Sequence, residues 1–343
     1  MGCTFARPSP NPCTPYADPM LNAVPNTAES VELGLLDRLV DEVETVFRGK
    51  RETVRLALAA LLAHGHILFE DIPGVGKTTL ARALTAALGL GFRRIQFTSD
   101  LLPSDVLGVS IYNPRTHEFE TRPGPIFTHV VLADEINRAP PRTQSGLLEA
   151  MQEGRVTIDE RSYDLPTPFL VMATQNPLEQ HGTYPLPESQ LDRFLMRLSI
   201  GYPQPADERG VLLQSVGVGD PVDRVHPVLD AGRVLALQAR VERVHADPAL
   251  VDYLMAIIQA TRSDPRLRAG ASTRAAIGLF RAARGYALVE GRDFLAPDDV
   301  RRLVVPVLAH RLLPAGASAA TGEAYEESVA VLEGIMASVE VPV

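Results

Sequence analysis

Three short stretches carry residue types that handle a phosphorylated ligand. The first is Glu70-Asp71-Ile72-Pro73-Gly74-Val75-Gly76-Lys77-Thr78-Thr79. Glycines let successive backbone N–H groups converge on phosphate oxygens, and a helix beginning there adds its partial positive charge. Lys77 brings a point charge to the terminal phosphates, and Thr78 offers a magnesium-ligating hydroxyl. Pro73, Gly74, Val75, Gly76, Lys77, Thr78 and Thr79 therefore form a candidate site for ATP with Mg2+. The strict pattern G-x-x-x-x-G-K-[ST] has Gly where this chain has Asp71, a carboxylate tolerated near a polyanion only if it points away or is paired.

The second stretch is the apolar run Val130-Val131-Leu132-Ala133, ending in Asp134 and Glu135. Asp134 can hold magnesium through its water shell, and Glu135 can orient or deprotonate an attacking water, because phosphoryl transfer needs mainly positioning and charge neutralisation. The third is Ala173-Thr174-Gln175-Asn176-Pro177, whose Asn176 amide can reach both that water and a γ-phosphate. Singly, each has an ordinary explanation: a Gly-rich turn, carboxylates in an exposed turn, an Asn-Pro loop. Jointly, each at the end of an apolar run, they point to a P-loop triphosphatase.

Those residues need elements to hold them. Short apolar runs, His66-Ile67-Leu68-Phe69, Arg94-Ile95-Gln96-Phe97, Val130 to Ala133, Phe169-Leu170-Val171-Met172-Ala173 and Leu198-Ser199-Ile200, alternate with helical segments. This alternation predicts an α/β fold, a parallel sheet flanked by helices whose strand ends form one ligand-binding edge. Two helices are expected before the first strand, from the spacing of Leu33, Leu36, Val40, Val43 and Phe47, then Val54, Leu58 and Leu61. Residues 141–154 read as a helix that opens on Pro and stops at Gly. Beyond Pro203 the strand-like runs stop and helical patterns follow at residues 233–244, 248–262, 273–288 and 297–312. The expected organisation is a disordered leader at 1–28, an ATPase core at 29–205, a linker at 206–228 and a smaller all-helical lid domain at 229–343.

The runs Asp134-Glu135-Ile136-Asn137-Arg138-Ala139, Leu147-Leu148-Glu149-Ala150-Met151-Gln152-Glu153-Gly154, Ala173 to Pro177 and Gln190-Leu191-Asp192-Arg193-Phe194 resemble the MoxR family of AAA+ ATPases, over about residues 30–312. The resemblance implies that Asn176 is sensor 1, that Arg193 is an arginine finger, that Arg274 in Gly270-Ala271-Ser272-Thr273-Arg274 is sensor 2, and that Arg48 and Gly49 belong to a box lining the adenine. It also implies a self-assembled ring, a hexamer, in which Arg193 serves the neighbouring subunit's nucleotide. The resemblance further implies mechanical work on a protein client, in complex maturation or metal and cofactor insertion, with a von Willebrand factor A domain protein as partner. Two hairpins, within residues 107–127 and around Asp159-Glu160-Arg161, would face the ring's pore or surface. The magnesium chelatase motor subunit shares the Leu-Asp-Arg-Phe element and stands as an alternative, beside a nucleic-acid remodelling ATPase.

Composition narrows the field. The net charge of -9 disfavours a nucleic-acid partner, since proteins that track nucleic acid carry a basic footprint. The two cysteines, Cys3 and Cys13, lie in the polar Pro-rich opening and make no disulfide framework. The pair His64 and His66 lacks companions at metal-ligand spacing. No stretch reaches the roughly 18 apolar residues of a spanning helix, and the opening lacks a signal-peptide profile, so a cytoplasmic location is expected.

Overall fold

The computed structural model describes residues 27–159, 161–176, 182–214, 219–316 and 322–342. Pro177, Glu160 and nearly all of the expected leader lie outside the described residues.

Helices α1 (Thr27–Glu44) and α2 (Arg51–Leu62) precede β1 (Ile67–Glu70), as the spacing predicts. Next come α3 (Lys77–Ala87), β2 (Phe92–Gln96), α4 (Pro103–Leu107), the hairpin β3 (Gly108–Asn113) and β4 (Glu118–Pro123), and β5 (Val130–Asp134). They are followed by α5 (Pro141–Glu153), the hairpin β6 (Arg155–Ile158) and β7 (Arg161–Asp164), β8 (Leu170–Gln175), α6 (Glu188–Leu191) and β9 (Met196–Leu198).

The main sheet is parallel with order β2-β5-β8-β1-β9. Its central strands are apolar up to their carboxyl ends because both faces are covered. Ile67, Phe69, Val130, Leu132, Leu170 and Met172 face one core, which they share with α1, α2 and α3. Leu68, Val131, Ala133, Val171 and Ala173, one residue out of phase, face a second core built on α5. The last strand starts earlier than its apolar run suggests, at Met196. Residues 199–201 turn away because Ser199, Ile200 and Gly201 bond the Asp71 carboxylate instead of continuing the ladder.

The remaining elements are α7 (Pro205–Gln214), α8 (Ala231–Val241), α9 (Pro248–Ser263), β10 (Leu267–Ala269), α10 (Thr273–Val289), α11 (Pro297–Leu308), β11 (Leu313–Pro314) and α12 (Gly322–Ser338). The lid is thus helical except for a short antiparallel ribbon, β10 with β11, and α12 is a helix that the spacing did not single out. The expected linker is not a bare tether. Arg82 of α3 pairs with Asp220, and Val228 N and Leu229 N bond Ala87 O, so the linker is stitched to the helix that follows the phosphate loop. Helix α10 lies against α2 so closely that a Cβ on Gly285 would stand 2.7 Å from Ala59 O. The lid and the sheet therefore share one hydrophobic core through α2. Arg197 of β9 pairs with Glu70 (2.7 Å) and covers the Tyr325 ring (3.5 Å to its centroid), tying α12 to the sheet.

Candidate active site

Strands β1, β5 and β8 end side by side, which brings all three sequence stretches to the carboxyl edge of the sheet. Their cleft, about 350 Å³, is lined by Pro73, Gly74, Gly76, Lys77, Thr78, Arg94, Asp134, Glu135, Thr174 and Asn176. Gly74 (φ +85°) and Gly76 (φ +90°) take left-handed conformations that curl the loop. A Cβ on Gly76 would also come within 3.1 Å of the Phe47 ring. Lys77 Nζ donates to the carbonyls of Asp71 (2.7 Å) and Ile72 (3.1 Å), which holds the ammonium inside the curl. Burial lowers its pKa, opposed by the carboxylates of Asp71, Asp134 and Glu135.

Asp71 points away from the cleft. Its carboxylate accepts from Ile200 N and Gly201 N (2.7 Å each), Ser199 Oγ (3.0 Å) and Ile72 N (2.9 Å). Burial alone would raise its pKa, but these bonds prevail and hold it below the usual carboxylate value. The departure from the strict loop pattern is therefore a structural brace that leaves the phosphate cradle open.

Thr174 organises the carboxylates. Its hydroxyl donates to Asp134 Oδ1 (2.6 Å) and accepts from Glu135 N (2.9 Å). Glu135 has φ +57°, a left-handed conformation that costs a non-glycine residue roughly 1–2 kcal/mol. This turn delivers its side chain to Gln96, whose amide donates to Glu135 Oε2 (2.7 Å), and to Arg138 (3.2 Å). Arg94 Nε donates to Asp134 Oδ2 (3.0 Å), and Arg94 Nη2 to Gln96 Oε1 (3.0 Å). Arg94, Gln96 and Thr174 were not legible as site residues. The alternation of Arg94 and Gln96 along one strand was visible, but not that this strand pairs beside β5.

The other expected residues divide into groups. Val75 is buried, and Thr79 lies one step along α3 outside the cleft lining. Arg48 and Gly49 lie beside α7: a Cβ on Gly210 would meet Arg48 Nη1 at 3.0 Å, and one on Gly49 would collide with Asp207. Asn176 is buried at the end of β8 on the phosphate cleft.

Arg193 and Arg274 line a separate cleft of about 260 Å³, which shares no lining residue with the first. Arg274 Nη1 is 3.8 Å from Asp192 Oδ2, whereas the Arg193 guanidinium has no hydrogen-bond or ion-pair partner among the described residues. Leu195 N bonds His66 O just before β1, so Arg193 stands at the amino edge of the sheet. The phosphate loop leaves the opposite edge.

Residues 66–196 match the ATPase family associated with various cellular activities (AAA), and residues 259–333 match the AAA lid domain. Protein YeaC of Bacillus subtilis is 50% identical, with 90% of this chain and 95% of that protein aligned. Chaperone MoxR1 of Mycobacterium tuberculosis is 43% identical over 87% of this chain and 81% of its own length. Protein MoxR of Paracoccus denitrificans is 32% identical over 87% and 93%. A crystal structure of a Cytophaga hutchinsonii protein superposes with a TM-score of 0.82 at 36% identity, covering 92% of this chain and 98% of that one.

Proposed function

Because this chain belongs to the MoxR family of AAA ATPases, we propose that it is a ring-forming motor that hydrolyses ATP at a site shared between two of its subunits, and that it remodels a protein client. The triphosphate lies on the curl of Gly74 and Gly76, where Lys77 exchanges its carbonyl partners for phosphate oxygens. Asp134 and the Thr78 hydroxyl, both on the cleft, offer the oxygen donors that Mg2+ takes. When bound, Mg2+ supplies charge neutralisation between phosphates. Glu135 orients and deprotonates the attacking water, and the Asn176 amide holds that water and the γ-phosphate in line.

One observation carries the shared site: Arg193 stands at the amino edge of the sheet. From His66 to Asp71 the chain runs about 16 Å at ~3.3 Å per residue, farther than an arginine side chain extends. This separation favours a finger that serves the phosphate loop of a neighbouring subunit over one that serves its own. Arg274 lines the same cleft and is offered with it. Arg48 and Gly49, which lie against α7 and follow the Phe47 ring that packs on Gly76, border the adenine in this proposal.

The client reading rests on the name of the Mycobacterium tuberculosis relative, chaperone MoxR1, and on two hairpins joined through Thr121 and Tyr163 (2.7 Å). The first hairpin exposes Tyr112 and Phe119, an apolar surface of the kind that grips polypeptide. Complex maturation by metal or cofactor insertion, a von Willebrand factor A domain partner, a hexameric ring and a cytoplasmic location complete the proposal. No helix among the described residues is long and apolar enough to cross a membrane.

The test is ATP turnover per subunit against protein concentration. Wild type rises steeply as rings assemble. Glu135→Gln binds ATP yet turns over about 10²–10⁴-fold more slowly. Undiminished turnover by dilute monomer defeats the proposal.

A further inference from the structure

The residues on either side of Arg193 are held from the lid. After α11 the chain makes one tight helical turn, Ala309–Arg311, beside the Leu-Asp-Arg-Phe segment. Arg311 Nη2 donates to Phe194 O (2.8 Å) and to Asp192 O (3.3 Å), and its Nε lies 3.3 Å from Asp192 Oδ1. His310 Nε2 donates to the same Phe194 carbonyl (3.0 Å). Two consecutive lid residues thus grip the main chain immediately before and after the finger, and neither contacts the phosphate cleft.

The arrangement is costly for a contact that merely fills space. The Arg311 side chain is only 5% exposed, and its Nη1 has no hydrogen-bond partner among the described residues. Burial pulls its pKa down to about 10, with Asp192 opposing and Arg274 adding to the fall. Burial, with Arg311 alongside, keeps His310 neutral. Room for the guanidinium comes from Gly278 of α10, where a Cβ would stand 2.9 Å from Nη1. A leucine or methionine would cover this surface without a desolvation penalty. What an arginine adds is one amino group, Nη2, that donates to two carbonyls at once, on a charged plane whose Nε edge lies beside the Asp192 carboxylate.

We propose that Arg311 is a positioning residue for Arg193: it couples the finger's backbone to the lid, so that the finger meets the adjoining subunit's nucleotide only when α11 stands where this grip is made. The inference rests on the shared-site reading above. Lid movement in the subunit that donates the finger then governs hydrolysis in its neighbour, which links successive sites around the ring.

The test uses full-length Arg311→Gln in mixed assemblies, with ATP turnover and binding of a fluorescent ADP analogue as readouts. Alone, Arg311→Gln loses tenfold or more in kcat, with KM and analogue affinity within about twofold, since a finger displaced by about 1 Å loses up to ~10²-fold. Mixed with Lys77→Ala, which brings a sound finger but no nucleotide, Arg311→Gln regains turnover. Mixed with Arg193→Ala, it does not. The pair Arg193→Ala with Lys77→Ala is the control for the shared site. If the control recovers while Arg311→Gln with Lys77→Ala stays inactive, the defect lies in the mutant's own site and the inference falls, leaving the shared site intact. If the control fails, both fall. Undiminished kcat in Arg311→Gln also overturns it. Should Arg311→Gln lose analogue binding by misfolding, Gly278→Ala, which pushes the guanidinium without removing its charge, takes its place with the same expected polarity.

Discussion

Replacing Asp71 by Gly restores the strict phosphate-loop pattern and, on this structure, weakens the protein. The carboxylate is the acceptor for Ile200 N, Gly201 N and Ser199 Oγ on a segment about 130 residues away in the chain. The Ile200 N–H is buried, so losing its acceptor costs about 1–3 kcal/mol. Gly201 N and Ser199 Oγ turn to water and lose about 0.5–1.5 kcal/mol each. Glycine adds ~0.5–1 kcal/mol of backbone entropy. The expected loss of about 2.5–7 kcal/mol lowers the melting temperature by roughly 5–28 °C at ~2–4 °C per kcal/mol. Hydrogen bonds hold the Asp71 pKa below its ordinary value of 3.8, against burial. Its stabilisation is therefore present above that value and disappears only as pH falls through the lower folded one. The gap between wild type and Asp71→Gly is accordingly flat between about pH 5 and 8, and Asp71→Asn, which keeps one acceptor oxygen, recovers part of it. Circular dichroism melts measure the gap. A variant that melts with wild type, or gains nucleotide affinity at no cost in melting temperature, refutes the brace.

Three further outcomes follow from the same geometry. Thr174→Val removes the hydroxyl that joins Asp134 to Glu135 N, so kcat falls ~10–10²-fold with ATP affinity kept and Thr174→Ser largely restored; steady-state kinetics of the three proteins decide it. Arg94→Ala frees Asp134 Oδ2, so the magnesium concentration for half-maximal turnover falls several-fold in a titration at fixed ATP, whereas a rise contradicts the assignment. Burial lowers the His66 pKa from 6.5 to about 4, and both ring nitrogens are engaged, with Val171 N and Met151 O. The fold favours the neutral ring, so this contribution is full above pH 6.5 and is lost as pH falls toward about 4, by ~3 kcal/mol. His66→Gln is less stable at neutral pH but shows a flatter decline across that window in urea melts.

The centre of the sheet was legible because β1, β5 and β8 are buried on both faces, which leaves uninterrupted apolar runs with polar residues only where the strands end. For the same reason Lys77, Asp134, Glu135 and Asn176 were legible: the last three follow such a run almost directly, and Lys77 follows one across the glycine-rich loop. What escaped reading depends on pairings remote in sequence. Nothing near Asp71 announces Ile200, nothing near Arg94 announces Asp134, and Arg311 meets Phe194 across 117 positions. The short ribbon β10–β11 was missed because strands of three and two residues are too brief to carry a period. The divide between core and lid, read from a change of pattern near residue 205, is crossed by α2, whose faces serve both.

The shared site is tested most directly by mixing two inactive proteins. Lys77→Ala has a finger but no phosphate grip, and Arg193→Ala has the grip but no finger. In an equimolar random ring, roughly a quarter of the interfaces pair a sound phosphate loop with a sound finger. The account predicts ATP turnover in the mixture well above the mean of the two parents. A mixture no more active than its parents, under conditions where rings of both proteins are seen to form, contradicts it.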